Sequence, residues 1–135
     1  MREILFRSKR KDNGAWETGG LVVVRGGCSD EQVFISDKMT GYHTPVLPET
    51  VGQFTGVTDK NGKKIFEWDI VKRGDRIWVI EYDVKCAQFV MKTYTESGVF
   101  QIRAFDLIPS EWCEIIGNIF DNHPDLLENN TGKEE

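Results

Sequence analysis

Ile77-Trp78-Val79-Ile80-Glu81-Tyr82-Asp83-Val84 is the stretch on which the fold class turns. Successive side chains of a β-strand point to opposite faces. Here Trp78, Ile80, Tyr82 and Val84 fall on one face, while Glu81 and Asp83 fall on the other. That period of two reads as a half-buried strand. Downstream, residues 89–94 and 100–105 continue the theme, with Phe100, Ile102 and Ala104 alternating with Gln101 and Arg103. An isoleucine-rich segment at 114–120 supplies a last strand. Five short strands between Ile65 and Phe120, joined by tight turns, is the count of a small SH3-like barrel.

Upstream the punctuation is denser and the segments are too short for helices. Asn61-Gly62 is the strongest hairpin signal, because Asn-Gly accepts the positive φ angles of a type I′ turn. Residues 51–57 pair in a sheet despite Gly52 and Gly56, and Pro45 and Pro48 make 42–50 an irregular connection or edge. Val33-Phe34-Ile35 is a brief strand. Leu21-Val22-Val23-Val24 is a β-branched strand that Gly19-Gly20 loosens and Arg25-Gly26-Gly27 ends. The apolar start at 4–7 stops at Ser8-Lys9-Arg10-Lys11 and the turn signal Asp12-Asn13-Gly14. Helix is confined to one turn at 124–128, with Pro124 at its first position, before a frayed acidic tail. The expected organisation is an N-terminal β lobe over 1–58, an SH3-like barrel over 59–120, and a turn and tail over 121–135.

Composition narrows the function classes. Fifteen aromatics (eight Phe, four Trp, three Tyr) among 135 residues argue for a packed core. The net charge of −5 opposes indiscriminate binding to nucleic acid or anionic membrane. The opening Met1-Arg2-Glu3-Ile4 has no apolar h-region, and no apolar run approaches the roughly 20 residues of a membrane span. A cytoplasmic chain is expected, with no membrane partner. Cys28, Cys86 and Cys113 are odd in number, widely spaced and without a CxxC, so reduced thiols are expected, with Cys86 and Cys113 buried.

The block 48–56, Pro-Glu-Thr-Val-Gly-Gln-Phe-Thr-Gly, resembles the YopX family of phage and prophage proteins, as does 59–71, Asp-Lys-Asn-Gly-Lys-Lys-Ile-Phe-Glu-Trp-Asp-Ile-Val. The likeness recurs at 112–120 and in the opening Ile4-Leu5-Phe6-Arg7-Ser8-Lys9 with Trp16 and Gly20-Leu21. Two departures stand out. Ser8 occupies a frequent glycine position, and Trp68 occupies the glycine of an E-G-D-I-V run. The resemblance implies a mostly β fold of two lobes and a tendency to self-associate. It implies no activity.

The chemistry-bearing residues form no catalytic, metal or cofactor constellation. His43 and His123 lie far apart and read as a loop histidine and a chain-end or capping residue. Asp59-x-Asn61-Gly62 lacks the later ligands of a calcium loop, and the hairpin accounts for it. Cys28, in Arg25-Gly26-Gly27-Cys28-Ser29, has no following helix to lower its pKa. Glu67 with Asp69, and Glu81 with Asp83, read as solvated strand faces. Arg73-Gly74-Asp75 is a turn.

Two basic clusters remain: Arg7, Lys9, Arg10 and Lys11, then Lys60, Lys63, Lys64, Lys72, Arg73 and Arg76. Lysines interleaved with Phe66, Trp68 and Trp78 suit phosphate contact and base stacking. Equally, charged residues blunt hairpins and sheet edges. The expectation is therefore a non-enzymatic homo-oligomer that binds a host or phage protein, with Trp68 as the interface aromatic. RNA or DNA binding through the second basic cluster is the alternative.

Overall fold

The structure is a computed structural model that describes residues 1–27, 30–95, 98–104 and 113–122. The described residues are mainly β, in two antiparallel sheets. The chain divides into two compact units, Met1–Gly56 and Val57–Glu135.

In the first unit, β1 (Phe6–Lys9) and β2 (Trp16–Val24) form a hairpin, and β3 (Gln32–Ser36) and β4 (His43–Pro45) follow. A 3₁₀ turn, Pro48–Thr50, leads into β5 (Gly52–Thr58), which pairs with β1. The order is β4-β3-β2-β1-β5, the first five strands of a six-stranded sheet. Val33, Ile35 and Val46 are buried in its core, with Phe6, Leu21 and Val51 packed against them. Ser8 explains its departure from glycine. It is fully buried, and its hydroxyl donates to the Leu47 carbonyl at 2.9 Å and bonds the Thr50 hydroxyl at 2.7 Å. Gly19 is a site of close approach, since a Cβ there would collide with the Ser36 carbonyl oxygen.

In the second unit, β5 runs on through a hairpin to β6 (Lys64–Phe66). Then β7 (Asp69–Arg73), β8 (Arg76–Asp83), β9 (Gln88–Thr95) and β10 (Gly98–Ala104) form a meander. The last strand, β11 (Glu114–Asn118), returns to pair with β7, giving the order β10-β9-β8-β7-β11. The 73–76 segment is a two-residue hairpin loop with Gly74 at φ 61° in its first central position.

The central strand β8 corrects the expectation of one buried and one solvated face. Trp78 and Ile80 join Ile65, Val71, Met91 and Cys113, while Ile77 and Val79 pack with Ile70 on the opposite side. Being central, β8 is covered on both faces, as its nearly continuous apolar run required. The alternation fails at its end. Tyr82 is exposed against Phe89, with ring centroids 5.2 Å apart, and Val84 lies beyond the strand at 81% exposure.

Two further expectations change. Cys113 is buried and desolvation pushes its thiol pKa up, but Cys86 is exposed in the β8–β9 turn. The Asn61-Gly62 turn is also not type I′, because among the pair only Gly62 has positive φ (81°). Asp59 N–H donates to Lys63 O, and Gly62 N–H to Asp59 O. This is a three-residue loop with glycine in the left-handed position. The Asp59 carboxylate selects it by accepting the Asn61 and Lys63 N–H groups at 2.9 Å.

Among the described residues, no helix is long and apolar enough to cross a membrane. The turn expected at 124–128, the tail, Cys28, Trp112, His123 and the facing of Phe100, Ile102 and Ala104 lie outside the described residues.

Candidate functional site

Between β6 and β7 the chain reverses over Glu67 and Trp68. The Phe66 N–H donates to Asp69 Oδ2 at 2.8 Å and closes the turn. Asp69 is 1% exposed, so its carboxylate belongs to the interior. The expectation that Glu67 and Asp69 share a solvated strand face is overturned, because the chain turns at Glu67 and buries Asp69. Glu81 and Asp83 are also engaged. Glu81 meets Lys92 at 3.2 Å, and Asp83 accepts the Lys85 N–H at 2.9 Å.

Trp68 sits at φ 74°, the left-handed region that bulky residues rarely adopt. Its N–H donates to Ile80 O at 2.7 Å, and its carbonyl accepts the Ile119 N–H at 3.0 Å. Those two bonds tie the turn to β8 and to the segment after β11. Either would survive with glycine, so the backbone does not require the indole. The ring is half-buried and meets Phe120 edge-on, with centroids 6.4 Å apart at 75°. Phe120 is itself held. Asn118 Oδ1 accepts the N–H groups of Phe120 and Asp121 at 2.9 Å, and Asn118 Nδ2 donates to Asp121 at 3.1 Å. The left-handed backbone costs a residue with a side chain about 1–2 kcal/mol. An aromatic kept against that cost is a candidate functional residue.

The six residues of the second basic cluster separate into groups. Lys60, Lys63 and Lys64 are exposed on the β5–β6 hairpin. Lys60 Nζ lies 3.4 Å from Glu114, and Glu114 stands opposite Lys72 in the β11–β7 register. Lys60 and Lys72 thus flank one carboxylate. Arg73 and Arg76 face each other at the mouth of the β7–β8 hairpin.

The N-terminal cluster also divides. Arg10 bridges Asp12 at 2.8 Å and Glu17 at 3.0 Å. These hydrogen bonds raise the Arg10 pKa and lower that of Asp12. Arg7 and Lys9 instead lie over the Trp16 ring, 4.7 and 5.3 Å from its centroid. The sequence reading missed this trio. The Arg7-x-Lys9 spacing, folded back through Asp12-Asn13-Gly14, was the signal for it.

A family model described as YopX protein matches residues 5–128. No curated protein matches the chain.

Proposed function

We propose, from the premise that this chain belongs to the YopX family, that it is a non-enzymatic phage or prophage accessory protein. It works in the host cytoplasm by self-association and by binding a host or phage protein. The observation that carries this reading is Trp68, a half-buried indole on a left-handed backbone. Trp is enriched where interfaces concentrate their binding energy, and symmetric closure would bury the same ring on every subunit. The contact with Phe120 orients the indole without covering it fully.

The second unit is read as an SH3-like barrel. A four-strand meander whose fifth strand returns to the first supports this, since it is the order such a barrel uses. A second reading has nucleic acid bound by Lys60, Lys63, Lys64, Lys72, Arg73 and Arg76. Its support is the pairing of Arg73 with Arg76; Glu114 between Lys60 and Lys72 weakens it.

The test is co-expression of two differently tagged copies. Capture of one tag should recover the other, and Trp68→Gly should reduce that recovery. Absence of the second copy from wild-type captures would refute self-association.

A further inference from the structure

Two asparagine–glycine pairs stand at hairpin turns, Asn13-Gly14 between β1 and β2 and Asn61-Gly62 between β5 and β6. All four residues are exposed, and both glycines have positive φ, 73° and 81°. Each glycine N–H donates to an earlier carbonyl at 3.0 Å, Gly14 to Arg10 O and Gly62 to Asp59 O. The pairs differ in the asparagine side chain. Asn13 Oδ1 accepts the Ala15 N–H at 2.9 Å. The Asn61 carboxamide has no hydrogen-bond partner among the described residues.

We propose that Asn61-Gly62 is a site of spontaneous covalent modification, at which the folded chain converts Asn61 to isoaspartate and loosens the tie between Asp59 and β11. The Gly62 backbone nitrogen gives up its proton and attacks Asn61 Cγ. The new C–N bond closes a succinimide ring as the Cγ–Nδ2 bond breaks and ammonia leaves. Water then opens the ring at either carbonyl, leaving aspartate or isoaspartate. The balance is one water consumed and one ammonia released, with no oxidant or reductant. Glycine favours the attack because no Cβ shields its nitrogen. The carboxamide must swing onto that nitrogen, and only a side chain without a partner does so freely. At Asn13 the bond to Ala15 must break first, and a net hydrogen bond of ordinary strength makes that state about fivefold rarer.

Isoaspartate carries the backbone through its β-carbon and so adds an atom between residues 61 and 62. Asp59 Oδ1 holds the N–H groups of Asn61 and Lys63 together at 2.9 Å, and Oδ2 holds the Ile115 N–H at 3.0 Å. A longer loop moves the first two N–H groups apart, so one oxygen no longer serves both. The new carboxylate also stands two residues from Asp59, where like charges disfavour each other. The site uses none of the residues invoked for self-association.

The test is to age the purified full chain at body temperature and mildly alkaline pH and follow its chymotryptic peptides. Cleavage after Phe6, Trp16, Phe54 and Phe66 separates the two pairs. Peptide 55–66 should gain about one dalton, the exchange of an amide NH2 for OH, about fivefold faster than peptide 7–16. An isoaspartate-specific methyltransferase should label the same peptide. In denaturing urea the two rates should converge, which assigns the difference to the fold. The aged parent should unfold at lower urea than the fresh chain, while an aged Asn61→Gln variant should hold its midpoint. Equal folded-state rates, or a faster gain in 7–16, would overturn the proposal. So would an unchanged 55–66 peptide, or a modified parent whose midpoint does not move.

Discussion

The Asp59 carboxylate accepts the Ile115 N–H at 3.0 Å, joining the hairpin after β5 to a strand 56 residues later. Its other oxygen accepts the Asn61 and Lys63 N–H groups. Burial alone would raise the Asp59 pKa, but the three N–H bonds outweigh desolvation and hold it below its ordinary value of 3.8. A depressed folded pKa gives stability that is full above the unfolded value and is lost as pH falls through the folded one. Asp59→Ala should therefore cost about 2 kcal/mol at neutral pH. In urea melts, the wild-type advantage should shrink as pH drops below about 4. An advantage that stays constant down to about pH 2 would refute the account of this carboxylate.

Gly62 is at φ 81°, where a β-branched residue is strained. Gly62→Val should destabilise the fold by about 1 kcal/mol or more. A melt that overlays the parent would contradict the turn geometry.

Trp68 allows strain to be separated from packing. Both Trp68→Gly and Trp68→Ala remove the ring, but only glycine relieves the φ of 74°. The glycine variant should be the more stable of the two by about 1 kcal/mol. Equal stabilities, read from chemical denaturation, would mean that the backbone stores no strain there.

Generic duplex DNA should bind weakly or not at all at about 150 mM salt, because a net charge of −5 gives no long-range attraction. Sub-micromolar duplex binding in a gel-shift assay would favour the hairpin lysines and arginines over self-association.

What was legible in the sequence follows from locality. Glycine and Asn-Gly breaks, alternation and β-branched runs are local signals, and they gave the strands around β2, β5 and β8. Coverage of β8 on both faces depends on which strands flank it, so Ile77 and Val79 looked like a solvated face until the sheet order was known. For the same reason Asp69 read as part of a solvated strand face and Asp59 only as a hairpin residue. Their N–H partners belong to a distant strand in one case and to a local reversal in the other. Trp68 was singled out only because a glycine was expected there. Its positive φ supplies the physical basis of that expectation.

The central claim, self-association through Trp68, is tested most directly by light scattering on the purified chain at micromolar concentration. The expected result is a mass that is a multiple of the 15.5 kDa subunit. Trp68→Gly should shift it toward smaller species, with the strand signal in circular dichroism unchanged. A wild-type mass of 15.5 kDa would contradict the claim, as would a Trp68→Gly variant that keeps the wild-type mass.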